Sequence, residues 1–503
     1  MQSTKAAVTV TALPGPPPSA FFAPLMIAPS KPKLTTPPVS VAEPGHIFKT
    51  LKTIFIIVDS GMAIRNILRT DVFAILKRCR NLKIVIFSPL SHDPEFQKEV
   101  AGENITLEPL QQWKAGPLVK SIRSLRKDVW SDKHDVIRFK EKRASKKSRL
   151  GRALVYGLLR DGSPDRVDSA LAKLDRWEAR LTPALAGDYF DRYQPDLIFY
   201  STIYSKDLSI EIGARQRGVK SCAYILSWDN PTTKGPFPVR PDRAIVWNNI
   251  MRDELLSYHE FPPADIFVAG TPQFDIYYDS SRYLSRESFF EKWQLDPAKR
   301  LITYTTGAPA LFPFEHEIVE SLYQRLQKGA LRQPAQLMVR VHPKDLYDIY
   351  KRFEGKPDLV LQLAGRKGKT DDTWNPSRQD MFELGETMKY SDVVLNIVST
   401  TTIDAACFDT PVVNIAFDGR SYLPYEKSCK RFYNFNHYKK IVETGGVVIA
   451  NNLNETITLT QRYFDDPRLE AEGRARIREE QCYQFDGHAG ERIANYLIDY
   501  LES

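Results

Sequence analysis

The segment at residues 390–419, YSDVVLNIVSTTTIDAACFDTPVVNIAFDG, contains two apolar runs separated by a row of hydroxyl side chains. The apolar runs lie at residues 393–398 and 412–417. Each has the length and composition of a parallel strand that is covered on both faces of its sheet. One short helix fits between them, so the segment predicts a strand, a hydroxyl-rich turn, a helix and a second strand.

The hydroxyl-rich turn is suited to bind an anion. Its hydroxyls and the free amides at the start of the helix can point at a phosphate, with the positive end of the helix dipole behind them. Asp404 follows within the first helical turn, where its carboxylate could accept hydrogen bonds from a ribose diol. Helix capping alone is the structural alternative, but four consecutive hydroxyls exceed what a cap needs: Ser399, Thr400, Thr401 and Thr402.

The composition describes a globular protein with a basic bias. The chain has 503 residues, a net charge of +8, 42% hydrophobic residues and 26% charged residues, and this length favours two domains over one core. The five cysteines are scattered and no metal-binding spacing occurs. We therefore expect a cytoplasmic protein without a metal site. No apolar run reaches the roughly 18 residues of a membrane-spanning helix, and prolines interrupt the apolar patch near the N-terminus, so no signal peptide is predicted.

Residues 47–290 show the alternation of strands and helices that is typical of a Rossmann-like domain. Two polar loops at predicted strand ends carry aspartates: DSGMAIRN contains Asp59, and SWDNPTTKG contains Asp229. Open α/β sheets bind ligands at the carboxyl ends of their strands. Both loops are therefore candidates for a ligand site, with a turn-forming role as the alternative for each aspartate.

The same pattern of strands and helices begins again near residue 300 and predicts a second Rossmann-like domain. Its first strand ends in Thr306 and Gly307, where a glycine allows a ligand to approach the backbone. A later strand ends in Arg340, His342 and Lys344. Two cations and a histidine at one strand end suit a diphosphate, and the histidine could also transfer a proton.

A basic segment interrupts the first domain. Residues 120–152, from Lys120 to Arg152, carry thirteen Lys or Arg against four Asp or Glu. Such a segment could lie on an anionic membrane surface at the inner face of the membrane, or bind a polyanionic substrate. A solvated helical hairpin is the structural alternative. Nucleic acid is not an expected partner, because no binding module accompanies the charge.

These patterns predict four regions in addition to the basic insertion at about residues 114–190. Residues 1–46 are rich in proline and poor in charge, which predicts a disordered, extended tail. A first Rossmann-like domain is predicted at residues 47–290, and a second at residues 291–480. Residues 481–503 are expected to form a helix that packs back on the rest.

The organisation resembles the GT-B fold of nucleotide-sugar glycosyltransferases, in which two Rossmann-like domains face a central cleft. The resemblance implies that the N-terminal domain binds the acceptor and that the C-terminal domain binds the nucleotide donor. In many GT-B enzymes the donor half carries a hydroxyl- or glycine-rich turn, an acidic residue and then A-x-x-x-G-x-P. The turn at Ser399 is followed here by Asp404 and Pro411, while Asp409 stands where glycine is usual.

Two further patterns are similar to sialyltransferase-like and CDP-glycerol glycerophosphotransferase families. The pair His342 and Pro343, with hydroxyls downstream, resembles positions that contact donor phosphates in those families, and DGHAGERI at residues 486–493 resembles the ending of the second family. The loops at residues 228–235 and 270–277 resemble those of surface-carbohydrate biosynthesis enzymes. The resemblance implies an enzyme that builds surface polysaccharide or glycolipid.

The resemblance further implies a glycosyltransferase that moves a sugar from a nucleotide diphosphate to a carbohydrate or lipid-linked acceptor, without a required metal or other cofactor. Arg340, His342, Lys344 and the turn Ser399, Thr400 and Thr401 would stabilise the leaving diphosphate, and Asp404 would orient the ribose. In an inverting reaction Asp229, or else Asp59, would deprotonate the acceptor hydroxyl. The alternatives are a CDP-glycerol-type glycerophosphotransferase, an isomerase like the non-hydrolysing UDP-GlcNAc 2-epimerases, and a non-catalytic glycan-binding scaffold.

Overall fold

Two parallel sheets organise the structure. The computed structural model describes residues 45–110, 115–134, 136–139, 164–182, 186–201, 208–343, 347–363, 365 and 374–503. The first sheet has the order β3-β2-β1-β4-β5-β6-β7, and its strands are β1 Ile47–Ile57, β2 Arg80–Ser88, β3 Ile105–Pro109, β4 Leu197–Tyr200, β5 Lys220–Tyr224, β6 Arg243–Val246 and β7 Ile266–Val268. The second has the order β10-β9-β8-β11-β12-β13, with β8 Arg300–Thr305, β9 Ala335–Val341, β10 Leu359–Leu363, β11 Val393–Asn396, β12 Val412–Ile415 and β13 Val448–Ala450.

Every neighbouring pair of strands in both sheets is parallel, which confirms the predicted α/β class with two Rossmann-like domains. The strand order reverses between β1 and β4 in the first sheet and between β8 and β11 in the second. Crevices at such reversals are where open α/β sheets bind ligands. The α-helices of four or more residues in the described part of the chain are Asp71–Arg78, Pro94–Val100, Pro117–Lys133, Pro164–Leu181, Gly187–Tyr193, Ser209–Arg217, Asn230–Thr233, Asn249–His259, Asp275–Tyr278, Arg286–Lys292, Glu315–Gln327, Tyr347–Tyr350, Arg378–Tyr390, Thr401–Cys407, Asn436–Glu443, Leu453–Asp465, Ala471–Cys482 and Ala489–Glu502.

The segment at residues 390–419 forms the strand, turn, helix and strand that its sequence predicts. Strands β11 and β12 are buried along their whole length, because helices cover both faces of a parallel sheet. The helix Thr401–Cys407 lies between them and begins after Thr400. The continuous apolar runs therefore identified both strands correctly.

Two local predictions in the first domain were wrong or incomplete. The predicted loop after β1 forms a short helix at Gly61–Ala63 and then one turn of π-helix at Ile64–Leu68. Ser60 begins this helix by accepting a hydrogen bond from the backbone of Ala63, with 3.4 Å between Oγ and N. The strand β3 was not predicted, because its residues are only half-buried and mix polar with apolar types.

The described part of the basic insertion is a helical hairpin. The helix Pro117–Lys133 packs along Pro164–Leu181. Arg126 is 1% exposed at its side chain and contacts Glu178 at 3.0 Å, and Lys133 contacts Asp168 at 2.5 Å. Acidic residues of the insertion itself thus neutralise these cations, while residues 140–163 lie outside the described part of the chain. Contact with a membrane stays a prediction.

The end of the chain returns to the first domain. The helix Ala489–Glu502 packs against Asp71–Arg78. Gly490 lies so close to that helix that an added Cβ would be 3.1 Å from the nitrogen of Asp71. The predicted tail at residues 1–46 lies almost entirely outside the described residues. None of the described helices is long and apolar enough to span a bilayer.

Candidate functional site

A small cavity lies where the two domains meet. Its lining includes Arg65 from the turn after β1, Tyr277 from the helix after β7, and Arg340 and Asp404 from the second domain. The cavity holds about 30 Å³, against roughly 300–1,000 Å³ for typical small-molecule sites. The cleft is therefore closed in this structure, around two arginines, a tyrosine and an aspartate.

Asp404 is a buried carboxylate, 4% exposed, that is held across the domain boundary. The hydroxyl of Tyr277 donates a hydrogen bond to its Oδ1 at 2.7 Å. Burial raises the pKa of Asp404 to about 6, although the Tyr277 hydrogen bond and the charges of Arg65 and Arg340 act in the opposite direction. A buried carboxylate with one phenol partner and two nearby cations is typical of a polar binding site rather than of a core.

Arg340 occupies the second-last position of β9 and is also buried. One of its guanidinium nitrogens, Nη1, donates to Oε1 of Gln362 on the neighbouring strand at 2.7 Å. Burial lowers the pKa of Arg340, while Tyr277 and nearby acidic side chains raise it. A guanidinium held this way stays charged, so the site presents a fixed positive charge beside Asp404.

The hydroxyl-rich turn lies at the carboxyl ends of β8 and β11. Ser399 Oγ accepts hydrogen bonds from the backbone nitrogen of Thr401 at 3.2 Å and from its hydroxyl at 2.9 Å. The hydroxyl of Thr401 also contacts that of Thr305 at 2.8 Å. The hydroxyl of Thr402, which is buried, contacts that of Tyr438 at 2.9 Å. Three of the four hydroxyls thus remain near the surface of the cleft, because Ser399, Thr400 and Thr401 are only half-buried.

The turn also stores backbone strain. Val398, directly before Ser399, has φ of +42°, which is unfavourable for a β-branched residue. Strain of this kind concentrates at functional sites, where the surrounding packing maintains it. The strained residue redirects the chain from β11 into the turn.

The other predicted phosphate contacts of the second domain lie at adjacent strand ends. Thr306 accepts a hydrogen bond from the backbone nitrogen of His342 at 2.9 Å, so it joins the ends of β8 and β9. The space beside Gly307 is filled by Phe312, whose ring an added Cβ would overlap. The glycine at that position thus accommodates a side chain of the protein itself. Lys344 lies outside the described residues.

The two predicted catalytic aspartates of the first domain do not line the cavity. Asp229 is half-buried in the loop after β5, where hydroxyls of Ser227 and Thr233 each donate to its carboxylate at 2.6 Å. Its neighbour Trp228 reaches across the cleft, and the indole nitrogen donates to Thr400 Oγ1 at 3.2 Å. Asp59 lies just beyond the end of β1, half-buried. The structure thus brings the Asp229 loop into contact with the hydroxyl turn through Trp228.

One segment of the second domain closes the cleft against the first. Arg69 Nη2 donates to Oδ1 of Asn375 at 2.6 Å, and Nη1 donates to the backbone oxygen of Pro376. An added Cβ at Gly61 would overlap the backbone of Trp374. Residues 374–376 therefore lie directly on the turn that carries Arg65.

Sequence reasoning identified Arg340 and Asp404 but missed their partners. The sequence marks the segments of Arg65 and Tyr277 as polar loops after strands, although both residues lie in short helices in the structure. Nothing in the local sequence distinguishes either residue from its neighbours. His437, which contacts Trp228 with ring centroids 5.0 Å apart, lies in a segment without any motif. Only the packing of the two domains brings these side chains to one place.

Neither a metal-binding cluster among the described residues nor a match to a known sequence identifies the function of this site. Among the described residues, no group of three or more His, Cys, Asp or Glu could hold a metal ion. No protein-family model matches the sequence, and no curated protein matches it either.

Comparison with solved structures shows the fold. The chain is similar to S. aureus MnaA in complex with UDP, with a TM-score of 0.52, 15% identity, and coverage of 90% of this chain and 97% of that chain. It is also similar to a UDP-GlcNAc 2-epimerase from Neisseria meningitidis bound to UDP-GlcNAc, with a TM-score of 0.50, 11% identity, and coverage of 89% and 100%. The shared architecture is the two-domain GT-B arrangement.

Proposed function

We propose that this chain is a glycosyltransferase that binds a nucleoside-diphosphate sugar in the cleft and transfers the sugar to a carbohydrate or lipid-linked acceptor, for a surface or extracellular glycan. The observation that carries the proposal is the convergence of Arg65 and Arg340 on the buried pair Tyr277 and Asp404 at the domain boundary. Fixed cations favour a diphosphate, and a carboxylate accepts hydrogen bonds from a ribose. The hydroxyl turn lies at the carboxyl ends of β8 and β11, and β8 is the neighbour of β9, the strand that carries Arg340.

Leaving-group stabilisation is the main chemical task in this proposal. When the sugar departs, negative charge grows on the diphosphate, and prepositioned donors that meet this charge lower the barrier. Arg340 supplies a buried cation, and Ser399, Thr400 and Thr401 supply hydroxyls. His342, directly after β9, would add a further donor, and Lys344 would add a further cation. No metal is required in this scheme, so we expect turnover without magnesium.

An isomerase of the UDP-GlcNAc 2-epimerase type is the second candidate. Two observations favour it: the solved structures with similar folds include a UDP-GlcNAc 2-epimerase, and a second carboxylate, Asp380, lines the cavity with Asp404. Epimerisation needs acid and base groups around one bound sugar nucleotide and needs no acceptor. Isomers of a sugar nucleotide that form without acceptor would therefore identify an epimerase.

Thermal unfolding of the purified protein tests the proposal. UDP, CDP, CMP, GDP and ADP are compared with and without magnesium, for the wild type, Asp404→Ala and Asp279→Ala. Asp279 follows the same short helix as Tyr277 but is exposed, so its variant is the control. A nucleotide at 100 times its Kd should stabilise the native state by about 2.7 kcal/mol.

The pattern of responses identifies the donor class. A shift with UDP or GDP that is lost in D404A and kept in D279A supports a sugar donor, and a shift with CDP alone favours glycerophosphate transfer. If the wild type melts cooperatively and no nucleotide changes its melting temperature, the donor-site proposal fails and a non-catalytic scaffold becomes the better explanation.

A further inference from the structure

His437 lies at the boundary between the domains with an unused hydrogen-bonding atom. It is the second residue of the helix Asn436–Glu443, and its ring meets the indole of Trp228 edge-on, with centroids 5.0 Å apart. The Nδ1 atom is shielded from solvent and has no hydrogen-bond partner in the described part of the chain. Buried polar atoms are nearly always paired. An unpaired ring nitrogen at a ligand cleft is therefore a group whose partner a bound molecule could supply.

Two neighbours of His437, Trp228 and Tyr438, contact the hydroxyl turn and so place His437 beside it. On one side, Trp228 donates its indole N–H to Thr400 Oγ1 at 3.2 Å. On the other, the hydroxyl of the next residue, Tyr438, is bonded to that of Thr402 at 2.9 Å. The imidazole is thus fixed next to the residues that would hold the donor diphosphate, where the acceptor must also arrive.

Asp229 is poorly placed to accept a proton itself. Its Oδ1 accepts the hydroxyl of Ser227 and its Oδ2 accepts that of Thr233, each at 2.6 Å. Burial raises the pKa of Asp229, but His437 in its protonated form, the charge of Lys234 and these two hydrogen bonds outweigh burial and bring the pKa below its usual value. The carboxylate therefore acts on His437 through its negative charge, which favours a protonated imidazole.

We propose that His437 is the general base that accepts the proton of the acceptor hydroxyl, and that Asp229 is its positioning residue. The assignment rests on the proposed glycosyl transfer. As the acceptor oxygen bonds to the anomeric carbon, its proton passes to Nδ1 of His437. The bond from that carbon to the diphosphate oxygen breaks, and its electron pair leaves with the diphosphate. The imidazolium that forms is stabilised by Asp229.

The charges around His437 agree with this role. Asp229, Arg138 and Lys440 are the charged groups that face it, and Lys440 is itself paired with Glu254 at 2.8 Å. Burial lowers the pKa of His437 to about 4; Asp229 raises it, and Arg138 and Lys440 lower it. The imidazole is thus neutral at pH 7 and able to accept a proton. A bound diphosphate adds negative charge, which brings the pKa closer to the working pH.

Kinetics of His437 variants test the assignment, with UDP-N-acetylglucosamine as the donor probe and a mixture of monosaccharides as acceptors. Release of UDP is measured for the wild type, His437→Gln, His437→Ala and His46→Gln. His46 is the matched control, because it also contacts an aromatic ring, Phe48, at 4.7 Å and a carboxylate, Glu502, at 3.0 Å. His46 precedes β1 and so lies at the amino end of that strand, whereas the candidate site lies at the carboxyl ends of the strands.

We expect H437Q to lower kcat by about 10²- to 10⁴-fold with unchanged affinity for UDP. Added imidazole should restore part of the activity of H437A, and H46Q should behave like the wild type. If UDP binds normally and H437Q turns over within threefold of the wild type, the assignment is wrong and the proposed function stands. If the wild type binds none of the nucleotides, the proposed function fails and the assignment fails with it.

Asp229→Asn tests the positioning role without turnover. The pKa of His437 is followed by NMR of the histidine-labelled protein, with the resonance assigned from H437Q. Because the carboxylate raises the pKa of His437, we expect D229N to lower it. An unchanged pKa for His437 in a folded D229N protein would contradict the pairing.

Discussion

The short helix Asp275–Tyr278 has two ends that meet very different parts of the molecule. At one end, Asp275 accepts hydrogen bonds from the backbone nitrogens of Ala489 at 3.1 Å and Gly490 at 2.7 Å, and so caps the last helix of the chain. At the other end, Tyr277 donates to Asp404 in the cleft at 2.7 Å. One helix thus serves a structural contact and the candidate site.

Asp275 and Asp404 both have a raised pKa, but their hydrogen-bond partners differ. Burial raises the pKa of Asp275 to about 7 and that of Asp404 to about 6. Backbone amides at a helix start hold Asp275, which is what a buried structural carboxylate needs. Asp404 has a phenol and two arginines instead, in a cavity. The comparison shows that the partners of a buried carboxylate, and not its raised pKa, distinguish a cap from a candidate binding residue.

Removing Arg340, the cation beside Asp404, should have the largest effect on UDP affinity. We expect Arg340→Gln to weaken UDP binding about 100-fold, because charge-assisted hydrogen bonds contribute about 1.5–3 kcal/mol each. Isothermal titration calorimetry measures the affinity. Arg300, at the opposite end of β8 and ion-paired with Asp392 at 2.7 Å, is the control, and Arg300→Gln should bind UDP normally. Equal losses in both variants would contradict a specific site at Arg340.

Asp404→Asn should lower UDP affinity by about 10- to 100-fold, because a neutral amide accepts a ribose hydrogen bond less strongly than a carboxylate. The comparison with 2′-deoxy-UDP isolates the contact. The wild type should prefer UDP, and D404N should bind the two ligands more equally. A preference for the ribose that survives in D404N would remove Asp404 from that role.

At the other end of the helix, we expect changes in stability but not in binding. Asp275→Ala leaves the amides of Ala489 and Gly490 without an acceptor, whereas Asp275→Asn keeps one acceptor and also removes the charge. D275A should therefore be less stable than D275N by about 1–2 kcal/mol, as measured by urea unfolding. Both variants should bind UDP with the affinity of the wild type. A loss of UDP affinity in D275N would mean that Asp275 contributes to binding as well as to stability.

The smallest expected effect concerns closure of the cleft. Arg69→Ala removes the hydrogen bonds to Asn375 and Pro376 that hold the second domain against the turn carrying Arg65. Because the closed cavity is too small for a nucleotide, binding requires opening, and we expect UDP to associate roughly two- to fivefold faster with R69A. Stopped-flow fluorescence measures the rate, with the exposed Arg78→Ala on the adjacent helix as control. A slower rate would mean that these contacts help to form the site.

Local sequence patterns determined much of the fold. The apolar runs identified β11 and β12, because continuous burial leaves a direct trace in the sequence. Asp404 and Arg340 were also within reach of sequence reasoning, since each lies at or just after a recognisable strand end.

Tertiary structure alone decided the composition of the site. Tyr277 and Asp404 are 127 positions apart, and their hydrogen bond exists only because the two domains close on one another. The same closure brings His437 to Trp228 and fills the space at Gly307 with Phe312. A sequence pattern reports how each residue relates to its own strand or helix. Contacts between distant elements depend on how the sheets pack, and no local pattern encodes that packing.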